Sequence, residues 1–433
     1  MEQIIELTLD AIAHGGEAIG RHAGKVIFVP YAIPGERVAV EILEEKERWA
    51  RGRLVRVLQS SPDRVEPPCP YFGQDQCGGC QWQHIAYERQ AELKQEIVVD
   101  QLRRLGRLAQ PPVADILAMA DSNPADEHPA DASTPDDQPA YLAYGYLNQL
   151  DLVVDREGRI SLRRANGRDL IAVEYCLLAN DRLDQLQASL DVAWPELEGI
   201  KVRASEETGD ALVLFQSSAE DQPELAIDLP AAVAVRTAHG VQPLIGDPFL
   251  SEEVNGCRYR VSATSYFPAN TAGAAALADT VLAYAGVEPG DVVLDAYCGV
   301  GLYSIPLADA GGHVTGLESS PAACEDFAVN AGERENVELH EGTVEEILPV
   351  LVAAGQRVDV VILDPPRAGA GPEVLRNLAA LGPRRIVYLA SDPASLARDG
   401  VHLAASGYRL VEAQPVDLFP QTCRVETVAL WKK

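Results

Sequence analysis

Asp364 closes the run Val358 to Leu363, which is apolar but for Asp359, and Pro365, Pro366 and Arg367 follow it. Two consecutive prolines lack an N–H and hold φ fixed, so a strand ending there passes into a stiff loop. Its carboxylate and carbonyls are then available to a ligand, and a planar base is the ligand they suit. A proline turn that merely closes a strand is the plain alternative. Two further features on neighbouring segments decide between them. In Asp291 to Ala308, DVVLDAYCGVGLYSIPLA, a strand gives way to a loop with Gly299 and Gly301 and then to a helix. Glycines allow close backbone approach, and the helix start offers free N–H groups. Glu318 ends the next apolar run, about twenty residues on, where an acid takes ribose hydroxyls. The loop is not GxGxxG, and no GxxxxGK[ST] is present, so S-adenosylmethionine (SAM) fits better than NAD or ATP.

A second constellation lies upstream. Cys69, Cys77 and Cys80 are spaced C-x7-C-x2-C, with Gly78 and Gly79 permitting a tight wrap, and Cys176 is the best distant fourth ligand. From spacing alone zinc is the default occupant and an iron–sulfur cluster its rival; chance clustering of free thiols is the third reading. Cys257, Cys298, Cys324 and Cys423 stand apart and read as small buried hydrophobes.

The elements that must carry these groups follow from punctuation and periodicity. Residues 1–60 show alternating strands separated by Gly15, Gly16, Gly24, Pro34 and Gly35, a small β-barrel pattern. His84 to Leu105 has helical periodicity, and Tyr146 to about Val261 reads as short strands. Asn270 to Ala285 is helical. Strands near Val292, Val314, Val358, Arg385, Tyr408 and Val425, with helices between most of them, imply a doubly wound, mostly parallel sheet. The expected division is therefore 1–60, 61–265 and 266–433.

With 433 residues, two or three domains are expected, because single cores rarely exceed about 250–300 residues. The formal net charge of −29 argues against a simple nucleic-acid binder. Part of that charge sits in Ala118 to Ala140, which has six acids, no Lys or Arg and several prolines, and reads as a disordered insertion. Arg48, Arg51, Arg53 and Arg56, then Arg103, Arg104 and Arg107, leave room for a local basic stripe, with ordinary solvated arginines as the alternative. The start carries acids and no cationic segment, and no apolar run reaches the ~18 residues of a membrane span, so a cytoplasmic, monomeric protein is expected.

Taken in order, the motifs resemble the iron–sulfur-containing, SAM-dependent RNA (uracil-5-)-methyltransferases that make 5-methyluridine in ribosomal or transfer RNA. The matching stretches are HGGEAIGRHAGKVIFVPYAIPGERV, SPDRVEPPCPYFGQDQCGGCQWQHIAYERQ, LDAYCGVGLYSIPLA, ILDPPRAG, YLASDPASLARD and DLFPQTCRVETVAL, and they span nearly the whole chain. The resemblance implies an α/β protein with an OB-like TRAM barrel that binds RNA, an α+β iron–sulfur domain and a Rossmann-like methyltransferase domain. It implies a [4Fe–4S] cluster at Cys69, Cys77, Cys80 and Cys176, SAM against Tyr297, Glu318 and Asp364, and Glu426 as the proton-abstracting carboxylate.

The chain departs from that pattern at polar positions. The family's YxSCNPxTLxRD reads YLASDPASLARD, so Ser391 takes the place of the cysteine that attacks uracil C6, and Asp392 that of the asparagine. Pro268 replaces a glutamine, Arg424 a histidine and Leu147 an arginine. A hydroxyl is far less ionised than a thiol at neutral pH. Three readings follow: methylation with changed chemistry, in which Cys423 supplies the thiol; methylation of another RNA atom at Asp364-Pro-Pro; or a SAM- and RNA-binding protein without turnover. The plain role of Ser391 is to begin a helix, with Ser or Asp as the cap.

Overall fold

The computed structural model describes residues 4–118, 143–155, 157–190, 192, 194, 197–218 and 230–433. The acidic insertion expected at about 118–140 lies outside these, apart from Ala118. Alternation of buried and exposed residues along Ile4–Ile12 turns Ile5, Leu7 and Leu9 inward. That strand joins Ala18–His22, Lys25–Val29, Arg37–Glu45 and Trp49–Gln59 in a closed barrel, in the order first, second, third, fifth, fourth. Closure leaves no free edge.

The helix Tyr87–Arg104 links the barrel to the rest. Leu93 and Ile97 pack with Ile33, Trp82 and Ile85 beneath the barrel, while Val98 and Leu102 enter the core of the C-terminal sheet. Between them Lys94 is fully buried and bonds Asp417 at 2.5 Å and the Phe419 carbonyl at 2.9 Å. A mixed seven-stranded sheet follows in the middle of the chain. The helix Asp181–Ser189 covers it, started by an Asn180 side chain that accepts from the Leu183 N–H. Sequence periodicity gave no sign of this short helix.

The C-terminal sheet also has seven strands, in the order Val337–Glu341, His313–Glu318, Val292–Ala296, Val360–Leu363, Arg385–Ala390, Glu426–Lys432, Arg409–Val416. The first five run parallel and the last two form an antiparallel hairpin on the edge. Val360–Leu363 is buried throughout, as a central strand covered on both faces requires. Val337–Glu341 was not expected as a strand: it is a half-exposed edge, VELHE, with no apolar run to announce it. The helix Thr271–Ala285 agrees with the expected 270–285, with Asn270 as its cap.

Candidate functional site

The parallel strands end level with one another. Ala296 pairs with Leu317 on one side and Leu363 on the other, so Tyr297, Glu318 and Asp364 emerge together at the carboxyl edge of the sheet. Open α/β sheets bind ligands at that edge. Glu318 is fixed there by backbone donors: Gly299 N–H at 3.0 Å, Ser319 N–H at 2.8 Å and Ser320 N–H at 2.7 Å. A carboxylate has four lone-pair sites, so capacity remains for hydroxyl donors. Gly299 has φ +56° and open space where a Cβ would be; at Gly301, φ +93°, a Cβ would meet the Phe327 ring at 3.1 Å. The left-handed turn and the close packing explain both glycines. Tyr297 also has positive φ, +65°, and its hydroxyl donates to Glu345 at 2.9 Å, placing the ring at the rim.

Two more carboxyls gather near Asp364. Burial raises Asp364 to about 7. Burial, then the Asp364 charge, raises Glu426 to about 8, against the pull of Arg424 and Arg367. Asp295, fully buried on its strand, is raised to about 7 by burial and by Asp364 and Glu318, even though Ser304 Oγ donates to it at 2.5 Å. Its Oδ1 has no hydrogen-bond partner among the described residues. Asp295 was overlooked in the sequence; the available signal was an acid inside the apolar run VVLDA. Tyr266, 69% exposed, stands in the field of Glu426 and Asp364. The loop after Asp364 is held by Asp399, which accepts from Ala370 N–H at 2.8 Å and Tyr388 Oη at 2.7 Å.

Ser391 follows the strand Arg385–Ala390. That strand pairs antiparallel with Glu426–Lys432, and the ladder ends at the pair Ala390–Thr427, so Ser391 and Glu426 each adjoin its last pair. Ser391 is exposed and does not cap the helix Pro393–Ala405; Asp392 does, accepting from the Ala394 N–H at 2.8 Å, with Pro393 at the first turn. Asp392 is also the partner of His14 Nε2, 2.9 Å away, which reaches across from the barrel's first turn.

Comparison with known proteins gives this arrangement its family. A model described as TRAM domain matches residues 2–55, and one described as Methyltransferase domain matches residues 293–398. An uncharacterized RNA methyltransferase of Streptomyces avermitilis is 35% identical over 99% of this chain and 98% of its own. The chain belongs to the RNA methyltransferase family. Another such methyltransferase, from Gloeobacter violaceus, is 34% identical over 99% of this chain and 96% of its own. Among solved structures, the Pyrococcus abyssi tRNA (uracil-54, C5)-methyltransferase, in complex with S-adenosyl-L-homocysteine, shares the fold: TM-score 0.72 and 23% identity, covering 98% of this chain and 99% of that one.

In this methyltransferase the expected metal ligands converge without forming a single-ion site. Cys69, Cys77, Cys80 and Cys176 line one cavity of about 120 Å³, walled otherwise by apolar side chains including Leu147, Leu150 and Val173. Yet among the described residues no three His, Cys, Asp or Glu side chains stand close enough to hold one metal ion. Burial raises Cys80 to about 12 and Cys176 to about 11, and neighbouring thiols push each further. Leu147, where the family pattern has arginine, is thus a wall of the cysteine cavity.

Cys423 is the thiol that the first of the three readings would use. It lies in a loop against Gly16 of the barrel, where a Cβ on that glycine would come within 2.4 Å of the Cys423 Cβ, and its N–H donates to Gln81 at 3.4 Å. Burial raises its thiol. Arg424 lies over the Phe419 ring, 5.5 Å from the centroid, and Pro268 accepts from Asn148 through its carbonyl at 3.1 Å. The arginines of the expected basic stripe are partly neutralised: Arg51 pairs with Glu17, Arg53 with Glu41 and Arg104 with Asp100. Among the described residues no helix is long and apolar enough to cross a membrane.

Proposed function

We propose that the protein methylates an unpaired base of an RNA from SAM at Asp364 and Glu426, by direct transfer to a base nitrogen without a covalent enzyme–base adduct. The observation that carries this reading is the pair of half-buried carboxyls, Asp364, raised to about 7 by burial, and Glu426, raised to about 8 by burial and then by the Asp364 charge. Such a pair holds one proton between them over much of the physiological range. One member then donates a hydrogen bond to the base while the other accepts its N–H, and the ionised member takes the proton as the nitrogen becomes nucleophilic.

Tyr297, Gly299, Gly301, Glu318 and Asp364 are the residues that would hold SAM, which supplies an electrophilic methyl group when bound. The fit rests on the open space over Gly299, the spare acceptor capacity of Glu318 and the orphaned Asp295 Oδ1 below. A base reaches the carboxyls only when turned out of its stack, and Tyr266 offers the exposed ring beside them. Among the described residues no base is hydrogen-bonded to Ser391, and the imidazole of His14 spends Nε2 on the adjacent Asp392. An alcohol without a base adds poorly to C6 of a pyrimidine.

The second reading is methylation of uracil C5, with Ser391 as the adding group and Glu426 removing the C5 proton. The place of Ser391 and Glu426, each next to the last pair of the two strands, favours it. Nucleoside mass spectrometry of RNA from a deletion strain, incubated with SAM and protein, separates the two. Direct transfer predicts a methylated base other than 5-methyluridine and full turnover by Ser391→Ala. The C5 reading predicts 5-methyluridine, a dead Ser391→Ala variant and a faster Ser391→Cys variant.

The four cysteines suit a [4Fe–4S] cluster better than zinc. Tetrahedral zinc draws four sulfurs to about 2.3 Å of one point, whereas these thiols surround a cavity and among the described residues no three ligands meet at an ion's distance. Cationic metal in that cavity would reverse the upward shift of the buried thiols and hold them as thiolates. The barrel at 1–60, the cysteine-bearing part at 61–265 and the methyltransferase part at 266–433 would then act as RNA grip, stapled spacer and chemical site.

A further inference from the structure

Away from the carboxyl cluster, a cleft of about 390 Å³ opens between the barrel and the cysteine loop. Its size lies within the range of about 300–1,000 Å³ that small-ligand sites occupy. Three rings wall it. Phe72 stacks on His84 with centroids 5.7 Å apart, and Tyr31 meets Phe72 edge-on at 5.5 Å and His84 at 6.2 Å. Leu54, Arg64, Glu66, Pro67 and Gln74 also line it, and Gln74 is tied to the Leu54 carbonyl at 2.8 Å.

Two features of this cleft have no structural need. His84 is 3% exposed, and the Ala32 carbonyl beside the ring takes at most one of its nitrogens, so at least one has no partner among the described residues. Buried polar atoms are almost always paired, so an open one marks a place for a partner. Burial also holds this imidazole neutral, which leaves it one donor and one acceptor. Tyr31, for its part, sits at φ +62°, a conformation that favours glycine, and it is locked there. Arg64 donates to the Tyr31 carbonyl at 3.0 Å while also gripping the fully buried Glu36 at 2.6 and 2.8 Å. A strained backbone is thus kept in order to present an aromatic ring to a cleft.

We propose that this cleft is a second nucleobase site, which stacks an unpaired base of the RNA substrate on Tyr31 and Phe72 and reads its edge with His84. The inference rests on RNA being the substrate and concerns a base other than the one methylated. Stacking on aromatic walls accepts any base face, and the open nitrogen of a neutral imidazole adds an edge contact. Arg56, two residues beyond Leu54 on the same strand, makes no ion pair among the described residues and is exposed, which leaves a cation near the cleft for a phosphate.

The test uses the full-length protein and a fluorescein-labelled single-stranded RNA of mixed sequence, followed by anisotropy. Tyr31→Gly removes the ring and suits the left-handed backbone, which offsets part of the packing lost against Phe72 and His84, and a cooperative thermal transition shows that it folds. Its Kd for the RNA rises about tenfold or more, the scale of one lost base stack. Tyr31→Trp restores binding, and Tyr31→Gly raises KM for RNA while leaving KM for SAM unchanged. Wild-type affinity in Tyr31→Gly overturns this site alone. A wild-type protein that binds no RNA removes the RNA reading itself, and the second base site with it.

Discussion

At the residue scale, the account turns on how burial sets the protonation of a few carboxyls. Glu426 moves from an ordinary value of 4.5 to about 8 in the folded chain, so the folded state binds that proton more tightly than the unfolded one. The stability this group permits is complete below about pH 4.5 and is lost as pH rises through about 8. Glu426→Gln should therefore melt higher than wild type at about pH 9 and alike at about pH 4, read by calorimetry. Catalysis needs the pair with one proton on it, so kcat/KM should rise through about 7, where Asp364 ionises, and fall above about 8, where Glu426 does, and Asp364→Asn should lose about 10²–10⁴ of it, the usual contribution of a general base. The charged identities behind this were legible in sequence: Asp364 by its Pro-Pro flank, Glu318 by its distance from the glycine loop. Asp295 and His14 were not, because a buried acid inside a strand looks like any other strand residue and a barrel-turn histidine gives no hint of its partner 378 positions away in the helix cap.

At the element scale, the helix Tyr87–Arg104 binds the parts together through one buried charge pair. Lys94 and Asp417 are both fully buried, and burial lowers the lysine against the pull of the aspartate. Lys94→Met leaves Asp417 buried without its partner and should cost about 3–5 kcal/mol, measured by urea unfolding; Lys94→Met with Asp417→Leu should recover most of it. A sequence reading sees only a helical period with mixed charge in this segment, since nothing local reveals that one lysine points inward. The parallel strands were readable because centrally buried strands are continuous apolar runs. Val337–Glu341 was not, because an edge strand exposes half its side chains, and Asp181–Ser189 is short enough for tertiary packing to decide it.

At the scale of the whole molecule, three cores meet at the methyltransferase edge. The barrel's first turn reaches it through His14 and Gly16, and the cysteine loop supports the same corner through Gln81 and Trp82, whose Nε1 donates to the Gly16 carbonyl at 3.0 Å. A cluster in the cysteine cavity would stiffen that corner. Protein purified without oxygen should carry about four iron and four acid-labile sulfide per chain, and stripping them with a chelator should lower Tm and weaken RNA binding together. Zinc alone would remove the cluster. The central claim is that a methyl group passes from SAM to an RNA base at Asp364 and Glu426. Its most direct test is transfer of labelled methyl from SAM to RNA of a deletion strain, comparing wild type, Ser391→Ala and Asp364→Asn. The account predicts label in the RNA with wild type and Ser391→Ala and almost none with Asp364→Asn. Label with Asp364→Asn equal to wild type, or none with any protein, would contradict it.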